Sequence, residues 1–193
     1  MNDYENMYSL MKEKGFVYEH KFHFETFDFA SLIADDNCTS VDILSDDDFE
    51  SIMFPLVQSK KIAMTWGEYS YNEFSNLVCR GYLHLDLMQC YMKLYEKEDF
   101  ISLSSVFYSV FEADESLKTF GHFAEIYSDF DENMQILQNR AIAIDFLFYF
   151  LLNRHEFNFK DVFPADIVAE FEKYKIEKEI EVEILEIRER KRI

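Results

Sequence analysis

The stretch FVYEHKFHF, residues Phe16–Phe24, sets large aromatics at alternate positions. Phe16, Tyr18, Phe22 and Phe24 fall on one side, and Val17, Glu19, Lys21 and His23 on the other. Period two is the signature of a strand with one buried face, and Val17 is the only apolar residue on the polar side. Just before it, Tyr4, Met7, Tyr8 and Met11 recur at helical spacing and stop near Gly15. Just after it, residues 28–36 read as a helix that ends in the polar run DDNCTS. Further on, KKIAMTWGEYSY (60–71) fits either a short strand or a loop, and Ser70 with Glu73 forms a capping box ahead of Phe74.

Beyond residue 74 the pattern is helical. Phe74, Leu77, Val78, Gly81, Leu85, Met88, Met92 and Tyr95 make one long stripe. Phe100, Leu103, Val106, Phe107 and Val110 make a second, and Leu117, Phe120, Phe123, Ala124, Tyr127 and Phe130 a third. Residues 133–153 form the most apolar helix, and Pro164 suits the first turn of another that carries Ile167, Val168, Phe171 and Tyr174. The tail IEKEIEVEILEIRERKRI fits a helix through Ile176, Ile180, Ile184 and Ile187, or a strand through Ile180, Val182 and Ile184; the helix beginning at 165 favours the first. Four Gly and two Pro are few for an all-β fold. The expectation is therefore a mainly α fold: one compact multi-helix domain over residues 1–193, with at most a few short strands near 16–24 and 60–70.

Charge is the strongest compositional signal. The chain carries 38 acids and 19 bases, a net −19. Such a field repels nucleic acid and anionic membranes and attracts basic partners. No Lys or Arg occurs between Lys21 and Lys60. Within that gap lies SDDDFE, residues 45–50. Ser45 and Asp48 nearly match a capping box before the helical stripe Phe49, Ile52, Met53 and Leu56, and acids in a first turn suit the helix dipole. The odd cysteine count, with no CxxC pair, fits a reducing cytoplasm. The longest apolar run, Ala141–Leu152, is too short to span a bilayer and contains Asp145, which needs a partner such as Arg140 or Arg154 if buried.

Catalytic and metal motifs fail on geometry. Scattered glycines cannot cradle a phosphate. His20 and His23 point to opposite faces of a strand. Asp129, Asp131 and Asn133 imitate the start of a calcium loop, but Met134 and Arg140 occupy its Gly and Glu positions. Read on a helix, His84 and Asp86 lie on different faces and form no dyad. No metal, cofactor or catalytic residue is expected.

The remaining signal is a set of acidic clusters near large aromatics. The candidate binding residues are Asp46, Asp47, Asp48, Phe49 and Glu50; Glu112, Asp114 and Glu115; and Asp129, Phe130, Asp131 and Glu132. Acids speed encounter with a cation, and aromatics anchor it. In size, charge and lack of catalytic motifs the chain is similar to the small acidic immunity proteins that block cationic nuclease toxins. That likeness implies a non-enzymatic cytoplasmic inhibitor of a basic protein, with no direct contact to nucleic acid or membrane. The alternative is a DNA mimic that fills the channel of a restriction or CRISPR-type enzyme.

Overall fold

The computed structural model describes residues 2–22, 28–35, 37–43, 46–78, 81–113, 131, 133–153 and 158–190, with the backbone alone at 22, 28, 41–43, 46 and 47. The first helix, α1 (Asp3–Lys14), opens with a capping box. The Asn2 side chain accepts from the Glu5 N–H at 2.8 Å, and the Glu5 carboxylate accepts from the Asn2 N–H at 2.9 Å. The chain then turns directly into β1 (Gly15–Phe22). The turn is tight: a Cβ on Gly15 would sit 2.6 Å from the Met11 carbonyl oxygen.

β1 is the central strand of a five-stranded mixed sheet in the order β3-β2-β1-β4-β5. On one side it pairs antiparallel with β2 (Asp28–Ala34), which pairs antiparallel with β3 (Asn37–Ile43). On the other it pairs parallel with β4 (Ile62–Thr65), which pairs parallel with β5 (Leu83–Asp86). This overturns the expected mainly α, all-helical fold: the protein is a helix-rich α/β structure.

Helices cover both faces of the sheet. Phe16, Tyr18, Ala30, Leu32 and Ala63 pack against α2 (Asp46–Ile52), α3 (Phe54–Val57) and α4 (Glu68–Val78) through Phe49, Met53, Val57 and Phe74. The Phe74 ring lies 5.0 Å from Phe16, 4.9 Å from Tyr18 and 5.6 Å from Phe49. Val17, Ile33, Ile62, Met64 and Leu85 face the opposite layer. That layer comprises α1, α5 (Leu87–Leu94), α6 (Leu103–Ala113), α7 (Leu137–Leu152), the short α8 (Phe159–Val162) and α9 (Ala165–Arg190). Among the described residues no helix is long and apolar enough to cross a membrane.

Two-sided burial explains the misread strands. Residues 29–34, FASLIA, read as helix because a strand buried on both faces loses its alternation. Ala30, Leu32 and Ala34 enter one core and Ile33 the other. The polar DDNCTS run does not end a helix. It begins with Asp35 in a left-handed conformation (φ 53°) and continues into β3, whose Ser40 shares a 2.9 Å hydrogen bond with Ser31 of β2. The long stripe from Phe74 to Tyr95 is three elements, α4, β5 and α5, because Leu85 of a four-residue strand happens to fall in phase with it. Ser70 lies inside the first turn of α4 rather than capping a helix at Phe74. The tail is helical, as favoured, and pairs with no strand. The third stripe, Leu117–Phe130, lies outside the described residues.

Ion pairs fasten α9 to α1. Lys14 binds Glu170 at 3.4 Å and Glu177 at 2.9 Å, Lys175 binds Asp3 at 2.6 Å, and Lys178 binds Glu13 at 3.1 Å. Lys60, only 3% exposed, donates to the Lys12 and Glu13 carbonyls at 3.1 Å and pairs with Asp35. It satisfies the last carbonyls of α1 and ties them to the β2–β3 turn.

The Gly15 turn yields a direct test. Gly15→Ala forces a methyl against a backbone oxygen that cannot move without unwinding the last turn of α1. It should destabilise the fold by about 1–3 kcal/mol. Urea unfolding followed by the fluorescence of the single Trp66 measures this. An unchanged midpoint would show that the turn is not tight.

Candidate functional site

In open α/β sheets, ligands bind beyond the carboxyl ends of parallel strands, where the chain order switches direction. Here the switch falls between β1 and β4. Strand pairing between them ends at Val17 and Met64, while β1 runs on to Phe22. Glu19 therefore stands past the end of β4, and it is 3% exposed. Its Oε1 accepts from the Ser70 hydroxyl at 2.7 Å and from the His20 N–H at 3.1 Å. Its Oε2 accepts from Arg140 of α7 at 3.3 Å. The two partners come from opposite helix layers. Arg140 thus serves Glu19, not Asp145; Asp145 is buried as anticipated, and Arg154 lies outside the described residues.

A cleft of about 880 Å³ opens at the carboxyl end of β5. His84 and Asp86 both line it. They are two apart on a strand, so they share a face; the helical reading that separated them is corrected by β5. The signal was present in LHLD, where Leu83 and Leu85 alternate with His84 and Asp86 just after Gly81.

The hydrogen bonds settle the His84 tautomer. The Thr65 hydroxyl donates its one hydrogen to the Gly67 carbonyl at 2.7 Å. Toward His84 Nε2, at 2.8 Å, it must then accept. The ring carries its proton on Nε2 and a lone pair on Nδ1. It stacks on Tyr71 with centroids 3.9 Å apart. Burial pushes its pKa down to about 4, with Asp166 acting weakly the other way. Asp86 Oδ1 caps α5 by accepting from the Gln89 N–H at 3.1 Å and holds the Gly67 N–H at 3.0 Å. Gly67 has φ 89°, which a glycine adopts without strain. Burial pushes the Asp86 carboxyl up, and these backbone donors oppose it.

Cys90 also lines the cleft, and burial pushes its thiol up to about 12. It is a protonated, inert side chain at neutral pH. Lys93, Lys97, Glu68 and Asp161 line the cleft too. His84 bonds Thr65 and Cys90 bonds no other side chain, so the cleft holds no nucleophile–base pair among the described residues. Nor do any three His, Cys, Asp or Glu residues converge as metal ligands among them.

The sequence-predicted binding residues divide. Glu50, Glu112 and Asp131 are exposed, and Asp48 is half-buried. Phe49 has no exposed surface; it is a core ring, not the surface anchor expected of it. Phe111, the aromatic beside Glu112, is likewise buried. Asp46 and Asp47 open α2, with their side chains outside the described set. Asp114, Glu115, Asp129, Phe130 and Glu132 lie outside the described residues, as do Ser45, His23 and Cys79. The topology does bring two clusters to one end. β3 runs parallel to β1, so α2 starts beyond their carboxyl ends. The turn after Asp131 reaches the same end, where Lys21 Nζ donates to the Gln135 carbonyl at 3.4 Å.

Comparison with protein-family models, curated proteins and solved structures gives no match.

Two measurements check these assignments. Removing the Arg140 cation leaves Glu19 buried with only dipolar partners. Arg140→Met should cost about 2–3 kcal/mol, below the figure for a wholly buried pair because Arg140 is partly exposed. Adding Glu19→Gln should recover part of that loss, and strict additivity in the double-mutant cycle would refute the coupling. His84 gives a pH signature. Its folded pKa of about 4 lies below the unfolded value of 6.5, so the unfolded chain takes up the proton first as pH falls. The wild type should therefore lose stability, relative to His84→Gln, as pH drops from about 6.5 to about 4, with no further loss below. Parallel curves for the two proteins across that window would contradict a buried neutral imidazole.

Proposed function

We propose that this chain is a non-enzymatic acidic binding protein that neutralises a basic partner protein, acting as an immunity-type inhibitor of a cationic toxin such as a nuclease in the cytoplasm. The observation that supports this reading is how the basic residues are used. Lys14, Lys60, Lys61, Arg140, Lys160, Lys173, Lys175 and Lys178 are each held by a carboxylate of the same chain. Several of them join the chain's two ends at the α1–α9 seam. Exposed acids such as Glu50, Glu96, Glu98, Asp99, Glu112 and Asp131 form no ion pair with a base among the described residues. The net −19 is thus carried outward, where it steers a cation over about 8–10 Å at physiological salt.

The binding face is assigned to the end of the sheet where α2 starts and the Asp131 turn arrives. Its aromatic content is not supplied by Phe49 or Phe111, so charge rather than apolar anchoring governs the first encounter. A triple variant tests this: Glu50→Gln, Glu112→Gln and Asp131→Asn. Asn at 131 keeps the side-chain oxygen that accepts from the Asn133 N–H at 3.0 Å. These are exposed positions, so stability should stay within about 0.5 kcal/mol of wild type. Association with a basic partner captured from the source lysate should slow about 10-fold, with dissociation little changed, and raised salt should shrink the gap. An association rate indifferent to both salt and the three substitutions would refute the reading. Competition by duplex DNA regardless of sequence would mark the alternative, a nucleic-acid mimic.

A further inference from the structure

We infer that the free half of α9 is a dimerisation helix that pairs antiparallel with the same helix of a second copy. The last buried residue of α9 is Tyr174, yet the helix continues to Arg190. From Glu179 onward no hydrogen bond or ion pair joins it to the rest of the described residues; its only contacts are Lys178–Glu181 and Glu186–Arg190, within the helix itself. The segment from Ile176 to Arg190 is about 22 Å long. Ile176, Ile180, Ile184 and Ile187 lie along it at spacings of four, four and three, and they are 43–58% exposed. That spacing places them on one stripe within about a quarter-turn of each other. The residues that flank the stripe are charged, and Val182 and Leu185, also exposed, lie on the far side of the helix.

The charges choose the occupant. Along the helix, Glu177, Glu179, Glu181 and Glu183 stand near the start with Lys178 among them, and the two arginines, Arg188 and Arg190, stand at the end with Glu186 and Glu189 beside them. A second copy running antiparallel, with Ile180 of one against Ile187 of the other, brings Glu181 within a turn of Arg188 on one flank. It brings Glu179 within a turn of Arg190 on the other flank. A parallel pair sets each acid beside its own counterpart and both basic ends together. Only the antiparallel direction sets Glu179 and Glu181 against the two arginines, and these contacts outweigh the approach of Glu183 to Glu183 and Glu186 of the other copy. In that direction the two bodies lie at opposite ends of the seam, with the Tyr174 residues about 28 Å apart along its axis, so they do not collide. A seam this short sits at the low end of specific interfaces, and the dimer should dissociate in the range of tens of micromolar.

Sedimentation of the full chain from about 10 µM to about 500 µM tests this range directly. A reversible monomer–dimer equilibrium is expected. Ile184 touches nothing in the body, so Ile184→Glu should leave the thermal melt unchanged while weakening the dimer on the order of 100-fold. The charge rule has its own test. Glu179→Arg with Glu181→Arg should weaken self-association, as should Arg188→Glu with Arg190→Glu. A mixture of the two variants should form a heterodimer tighter than either homodimer. A chain that stays monomeric through the range overturns the proposal, as does a dimer indifferent to Ile184→Glu. Failure of the mixture to form the heterodimer overturns the antiparallel arrangement. A monomer whose tail binds vesicles of phosphatidylcholine and phosphatidylserine overturns it in favour of a lipid surface.

Discussion

Glu19 is a carboxylate in the central strand of a sheet that has helices on both faces. Such a group is costly to bury unless charged or polar partners reach it, and here each helix layer sends one. Ser70 arrives from the start of α4, and Arg140 from the first turn of α7. For both to meet at Glu19, β4 must stop short of it, so that α4 can start beside β1. The same early stop creates the gap at the carboxyl ends of the strands. Thr65, Gly67 and Asp86 fill part of that gap with backbone-directed hydrogen bonds, and the open cleft lies on the other side of Asp86, between β5, α5 and the start of α9.

This arrangement explains which parts of the fold were legible in the sequence. FVYEHKFHF announces a strand because Glu19 and Lys21 interrupt the apolar run on one side. Glu19 looks like a solvent-facing residue, yet it is the buried hub. Val17, the apparent exception, was the accurate indicator, since it faces a second core. β2 has no charged interruption: from Ala30 to Ala34 the one polar residue is the small Ser31, and nothing in a single sequence separates the segment from a helix. The helices with one solvated face, α1, α6 and α9, were readable because water enforces their periodicity.

The candidate sites were legible to different degrees for related reasons. Acidic clusters declare themselves in any sequence, but a cluster does not say where its neighbouring aromatic points. Phe49 follows three aspartates and still turns inward, because α2 must cover Tyr18 and Phe74. The His84–Asp86 pair was hidden by the opposite fault. The alternation in LHLD spans only four residues and is outweighed by the helical stripe on either side, so two cleft residues looked like unrelated faces of one helix.

Charge and stability also pull against each other in this chain. A surplus of acids repels itself and favours expansion. The bases offset this where the repulsion does most harm, at the seam that holds α9 against α1 and α1 against the sheet. Exposed ion pairs contribute little singly, but here they surround buried Tyr174 and Phe171, and the lysine stems cover those rings. Past Tyr174 that mixture of core and charge ends, and helix propensity alone must hold the chain. Isoleucine is an indifferent helix former, and an uncovered segment of about fifteen residues is marginal in water. A helix that keeps its isoleucines on one stripe beyond the reach of its own core is stable only to the extent that something covers that stripe.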